Sequence, residues 1–149
     1  MTKNFTEIEL KFCKDITDDL IKCHLCIPFL LPVDTKEVPN YLSVISEPMD
    51  LGTVKRKLND GKYRSSNDWV NDIMKIWSNA EKFNQQGNPI NEIAKRLRKK
   101  TLKKLELIPK TEMDLWYLKL KKASNTVTKF LKHDPPNLSS QSKQKSSKH

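Results

Sequence analysis

Two side chains, Asn84 and Tyr41, carry the polar chemistry best suited to holding a small neutral group. Asn84 follows Phe83 at the end of an amphipathic stretch. Its carboxamide offers two N–H donors and a carbonyl acceptor without charge. Tyr41 brings a phenol from a segment rich in proline and apolar residues. Each has an ordinary explanation. Asparagine ends many helices because it tolerates a left-handed backbone, and a loop tyrosine commonly packs its ring and leaves its hydroxyl in water. Brought together at one end of a helical bundle, the two would give an apolar cavity one amide donor and one phenol. Such a cavity suits a neutral amide, which is what acetylation makes of lysine by removing the charge and adding a carbonyl and a methyl. An unmodified ammonium would lose its hydration there and meet a donor where it needs an acceptor.

Other chemistry is thin. The three glycines, Gly52, Gly61 and Gly87, each fit a turn or a helix end, so neither a phosphate-binding loop nor a dinucleotide fingerprint is present. Cys23-His24-Leu25-Cys26 has metal-ligand or redox residue types, but no second matching pair accompanies it, and the nearest other cysteine, Cys13, lies ten residues upstream. Free thiols are expected rather than zinc or a disulfide framework. His133 and His149 fall at the polar C-terminal end and join no Ser/His/Asp set. The expectation is a protein without catalytic residues, metal or cofactor.

The elements that must position Asn84 and Tyr41 follow from hydrophobic period and breakers. Ile8, Phe12, Ile16, Leu20 and Cys23 recur at helical spacing and predict a helix over about 5–25. A run with four prolines follows, Pro28, Pro32, Pro39 and Pro48. It is too apolar for a disordered linker, with Phe29, Leu30, Leu31, Val33, Val38, Leu42, Val44 and Ile45, so it reads as an ordered loop shaping a pocket. Asp50 is suited to cap a short helix carrying Leu51, Val54 and Leu58, closed by Gly61. Ser65 with Asp68 forms a capping box ahead of Trp69, Ile73, Ile76, Trp77, Ala80 and Phe83. Pro89 opens the next helix, with Ile90, Ile93, Ala94, Leu97, Leu102 and Leu105 expected inward and Pro109 ending it. A further helix is expected over 111–131, with Thr111 and Asp114 as a capping box and Leu115, Leu118, Ala123, Val127 and Phe130 on its apolar side. Beyond His133 the composition predicts disorder. No alternating segment predicts a strand, and the fold expected is an all-α bundle of four main antiparallel helices with extra helical pieces.

Charge is divided unevenly. Residues 1–94 hold 12 Lys/Arg and 14 Asp/Glu, a net of −2, whereas residues 95–149 hold 16 and 4, a net of +12. A polybasic end favours phosphate backbones, anionic surfaces or import receptors, and a mildly acidic front can accept a basic peptide. No apolar stretch approaches the ~20 residues of a membrane helix, and Met1-Thr2-Lys3-Asn4 lacks the apolar core of a signal peptide. An intracellular protein with no membrane partner is expected.

The ordered set Pro28-Phe29, Pro32-Val33-Asp34, Pro39-Asn40-Tyr41, Ile45, Pro48-Met49-Asp50-Leu51-Gly52-Thr53, Tyr63, Asn79-Ala80 and Phe83-Asn84 resembles the bromodomain, the acetyl-lysine reader of chromatin proteins. The resemblance covers residues 5 to about 105. Its most specific part is the Pro-Met-Asp-Leu-Gly-Thr run joined to the downstream aromatic-Asn pair. It implies a left-handed four-helix bundle with the proline-rich loop between the first two main helices. By resemblance, Asn84 donates to the acetyl carbonyl and Tyr41 reaches it through an ordered water. Phe29 and Val33 stand near the acetyl methyl, Val38 is a loop contact, Phe83 precedes the asparagine, and Ile90 is the gatekeeper. The family usually has Trp before Pro-Phe as a shelf. Here Ile27 and Pro28 hold that place, so affinity or selectivity is expected to change. The segment from Asp34 to Pro39 is short, and Phe83 stands where Tyr is common.

The resulting expectation is a bromodomain over 5–108, a helical extension over 109–132 and a disordered basic tail over 133–149. It would act in the nucleus, on acetylated histone peptides, in a larger chromatin complex, with DNA as a further partner of the basic C-terminal segment. The rival reading is a helical scaffold or nucleic-acid-binding module whose pocket is degenerate, motivated by Ile27 and the basic end.

Overall fold

The computed structural model describes residues 5–132, and the tail expected to be disordered lies outside them. The chain divides into two compact units, the first ending at Glu112 and the second beginning at Met113.

The first unit is a left-handed antiparallel four-helix bundle, and among the described residues no strand occurs. Helix α1 (Glu7–Lys22) starts at a capping box in which Thr6 and Glu9 satisfy each other's backbone N–H groups. It stops at Cys23, whose backbone is extended, so it is shorter at both ends than the apolar period suggests. Its buried face is Glu9, Cys13, Ile16, Thr17 and Leu20, while Ile8 and Phe12 flank it half-buried. Thr17 reaches this face because its hydroxyl donates to the Cys13 carbonyl at 2.7 Å and accepts from the Trp69 indole at 3.0 Å. That indole lies 52 residues away, so the contact ties the first helix to the third main one.

The proline-rich segment is more regular than its prolines suggest. A 3₁₀ helix spans His24–Phe29, and a one-turn helix α2 occupies Tyr41–Val44. Between them Asp34 accepts from the Lys36 amide at 2.8 Å, a side-chain turn that replaces a ladder or helix bond. Helix α3 (Leu51–Asn59) begins at Asp50, whose carboxylate accepts from the Thr53 amide at 2.8 Å and its hydroxyl at 2.6 Å. Gly61, at φ 63°, makes the turn that leads out of it.

Helix α4 (Ser66–Phe83) has the expected Ser65–Asp68 capping box and buries Trp69, Ile73, Ile76, Trp77 and Ala80. Helix α5 (Pro89–Leu105) carries Pro89 in its first turn behind an Asn88 cap. Its inward face is Asn91, Ala94, Leu97 and Thr101. Leu102, expected inward, is 45% exposed. Four residues past Leu97 the helix returns to the same face, and five residues turn it away, so Thr101 takes the core position and bonds its hydroxyl to the Leu97 carbonyl at 2.7 Å.

Helix α6 (Glu112–Leu131), which lies in the second unit apart from its first residue, begins one residue later than expected. Its Thr126 and Thr128 hydroxyls satisfy themselves on carbonyls one turn back, at 3.0 and 2.9 Å.

Candidate functional site

The proline-rich segment covers one end of the bundle and encloses a cavity of about 180 Å³. Pro28, Phe29, Leu31, Val33, Val38, Tyr41 and Met49 line it from the loop, and Ile76, Ala80, Phe83, Asn84 and Ile90 from α4 and the start of α5. The structure thus brings together Asn84, Tyr41, Phe29, Val33, Val38, Ile90, Phe83 and Pro28, all of which the sequence singled out. Ile27 is not among the lining residues and is 61% exposed.

Four contacts hold the loop in place. The Gly52 amide donates to the Leu30 carbonyl at 3.0 Å, and a Cβ on Gly52 would sit 2.8 Å from that same oxygen. This close approach accounts for glycine inside the first turn of α3. The Asn79 side chain donates to the Glu47 carbonyl at 2.8 Å, fixing the loop just before Pro48. Phe29 meets Trp77 edge to face at 5.2 Å, and Tyr41 meets Phe83 at 4.9 Å with planes at 62°. Phe83 therefore supports Tyr41 through its ring, without the hydroxyl a tyrosine there would carry.

Asn84 caps α4, but not by the left-handed route. Its backbone is extended, at φ −95° and ψ 132°, and its side-chain amide donates to the Ala80 carbonyl at 2.9 Å. That bond uses one of two amide hydrogens and fixes the plane of the carboxamide, which leaves the second hydrogen and the oxygen for a cavity occupant. Asn91 on α5 then clamps the turn, donating to the Glu81 carbonyl at 3.0 Å and the Asn84 carbonyl at 2.8 Å. Tyr41 is buried, and burial pushes its phenol above the usual range, so the group stays neutral at physiological pH. The polar members of the cavity wall, Asn84 and Tyr41, are thus uncharged.

Sequence reasoning missed Leu31, Met49, Ile76 and Ala80 in the wall and Asn91 behind it. Ile76 and Ala80 stand eight and four residues before Asn84, one helical face, and that spacing was available to find them. Asn91 carried no such signal, because a polar residue at an inward position has meaning only once its carbonyl partners are known.

Behind the α3–α4 contact, the buried Asp72 carboxylate accepts from the Tyr63 hydroxyl at 2.8 Å and from the Lys57 ammonium, with Lys75 at 3.5 Å. Burial alone would raise this carboxyl; the bonds from Lys57 and Tyr63 and the charges of Lys57 and Lys75 outweigh it and hold it below its ordinary value. Lys75 also pairs with Glu47 at 2.9 Å, so the network extends to the foot of the loop. Among the described residues no group of three or more His, Cys, Asp or Glu side chains is placed to hold a metal ion.

A family model described as Bromodomain matches residues 13–96. Bromodomain-containing factor 1 of Candida albicans is 37% identical over 94 residues, covering 60% of this chain and 13% of that protein. SAGA complex subunit Spt7 of Schizosaccharomyces pombe is 39% identical over 84 residues, covering 56% of this chain and 8% of its own length. The chain therefore corresponds to a small part of these relatives. The unbound second bromodomain of Candida albicans Bdf1 superposes with a TM-score of 0.64 at 33% identity, covering 68% of this chain and 98% of that one.

Proposed function

The chain belongs to the bromodomain family, and from that premise we propose that its cavity is a non-catalytic reader site for acetylated lysine on histone tails. The observation that carries this reading is the Asn84 amide. One N–H is spent on Ala80, and the carboxamide that carries the other lines an apolar cavity with no charged group in its wall. In the proposed complex Asn84 donates to the acetyl carbonyl, and the Tyr41 phenol reaches the same oxygen through a water. Phe29 and Val33 contact the methyl, Val38 and Ile90 bracket the lysine stem, and Phe83 backs Tyr41. Ile27 and Pro28 take the shelf position with less apolar area than a tryptophan would offer.

The relatives named as a bromodomain-containing factor and a SAGA complex subunit support a role in a chromatin or transcription regulatory complex, hence in the nucleus. Residues 5–108 would form the reader and 109–132 its helical extension.

Few atoms of an acetyl-lysine are buried, so the expected free energy is roughly −4 to −6 kcal/mol, or about millimolar to tens of micromolar. The test is titration of acetylated and unmodified histone peptides against the wild type and Asn84→Ala. Binding restricted to the acetylated peptide and lost in the mutant is the expected result. Equal binding of both peptides, or an unaffected mutant, would instead support a helical scaffold with a degenerate pocket.

A second contact, to nucleic acid, is favoured by the surface of α5. Lys95, Arg98 and Lys104 are paired with Glu92, Glu81 and Asp19 at 3.0, 2.9 and 3.0 Å. Arg96, Lys99, Lys100 and Lys103 are spaced along one exposed face and take no ion-pair partner among the described residues. Such a stripe of cations outside any ion pair suits the phosphate backbone of DNA beside an acetylated tail, adding avidity to a weak pocket.

A further inference from the structure

The thiols of Cys23 and Cys26 are not used by the cavity, yet they lie at the root of its wall. Cys23 ends α1 and is the cap of the 3₁₀ helix that runs His24–Phe29, and Cys26 is the third residue of that helix. Cap and third residue stand one turn apart at the start of this helix. The Cys26 amide donates to the Cys23 carbonyl at 2.9 Å, so the turn is already closed. Burial, and after it the neighbouring Cys23, push the Cys26 thiol up to about 12. Cys26 is fully buried, whereas Cys23 is partly exposed. Three residues after Cys26, in the same 3₁₀ helix, Phe29 lines the cavity and meets the Trp77 ring.

We propose that Cys23 and Cys26 form a redox dithiol, oxidised by peroxide to an intrachain disulfide that displaces the Pro28–Phe29 wall of the cavity. Cys23, the accessible thiol, attacks a peroxide oxygen as its thiolate, and the O–O bond breaks. The hydroxide released leaves as water, and Cys23 becomes a sulfenic acid. Cys26 resolves it: its sulfur attacks the Cys23 sulfur, the S–O bond breaks, and the Cys26 proton leaves with that hydroxide as a second water. Both thiols have then lost one electron each, and the peroxide has been reduced to two waters. The bond contracts a non-bonded S···S contact to about 2.05 Å. The proposed movement runs into Ile27, Pro28 and Phe29, which follow Cys26 directly in the same 3₁₀ helix. Cys13, roughly 15 Å back along α1, stays reduced.

The bond and the wall movement do not depend on what fills the cavity; the effect on ligand rests on the acetyl-lysine reading. The full chain would be treated with stoichiometric hydrogen peroxide, mapped by non-reducing peptide mass analysis, and alkylated after unfolding. Expected are a Cys23–Cys26 linked peptide, Cys13 as the alkylated residue, and amide NMR shifts changed at Phe29 and Leu31. Cys23→Ser under the same oxidant should form no intrachain bond and show none of these shifts. Acetylated peptide should bind the oxidised wild type roughly threefold or more weakly, the scale expected when one packed wall is displaced. A disulfide through Cys13, no disulfide at all, or a Cys23–Cys26 bond that leaves the Phe29 and Leu31 amides unmoved would overturn the proposal. If neither redox form binds peptide, the acetyl-lysine reading has failed, while mapping and amide shifts still judge the dithiol.

Discussion

Asn84 is competent for recognition because two other groups restrain it. Ala80 takes one hydrogen of its side chain, and Asn91 holds its backbone carbonyl from the neighbouring helix. Asn91→Ala removes both bonds from that side chain and leaves the Glu81 and Asn84 carbonyls without it, so a loss of about 1–3 kcal/mol in unfolding free energy is expected by urea titration. Peptide affinity should fall with it, although Asn91 is not in the cavity wall. Tyr41→Phe separates the two jobs of Tyr41. The ring contact with Phe83 at 4.9 Å survives, so the melting temperature should hold while affinity for the acetylated peptide drops by calorimetry.

At the scale of elements, the loop is positioned more by its attachments than by its prolines. Gly52 is the tightest of these. Alanine in a helix is ordinarily worth about 0.5–1 kcal/mol over glycine. Here the new methyl would stand 2.8 Å from the Leu30 carbonyl, a backbone atom that cannot rotate away. The clash, with loss of the Gly52 amide bond to that oxygen, outweighs the propensity gain. Gly52→Ala is therefore expected to destabilise by about 1–2 kcal/mol in chemical denaturation and to weaken peptide binding as the loop lifts. A stabilised variant with unchanged binding would show that the loop does not depend on this approach. The glycine was legible as part of a family-like run, but the reason for it was not, because Leu30 is far along the chain from α3.

For the whole molecule, buried charge and surface charge predict different dependences. The Asp72 carboxyl titrates below its ordinary 3.8 in the folded chain. Its contribution is thus present in full above the unfolded value and is lost as pH falls through the lower folded one. Lys57→Met removes the strongest of the bonds that lower it, so acid unfolding followed by circular dichroism should move to higher pH than in the wild type. On the surface, four phosphate contacts from Arg96, Lys99, Lys100 and Lys103 predict a log–log salt slope of about −3 to −4 for duplex DNA. Replacing all four with glutamine should flatten that slope and leave isolated peptide binding unchanged. DNA binding that ignores salt would count against the stripe.

The sequence alone determined the helical class, the caps at Asp50 and Ser65, and the apolar character of the proline-rich run beside the cavity, because local period, capping chemistry and that run are all written within a few residues of one another. It misjudged where local signals compete. The apolar period carried α1 past Cys23, and the pattern through Leu102 hid that Thr101 faces the core. What only the tertiary structure decided were the long-range partners: Thr17 on Trp69, Asn79 on Glu47, Gly52 under Leu30, and Asn91 on the Asn84 carbonyl. Each joins groups whose pairing depends on how helices and loop meet in space. A polar side chain or a glycine in one segment does not specify in advance which distant carbonyl it will face.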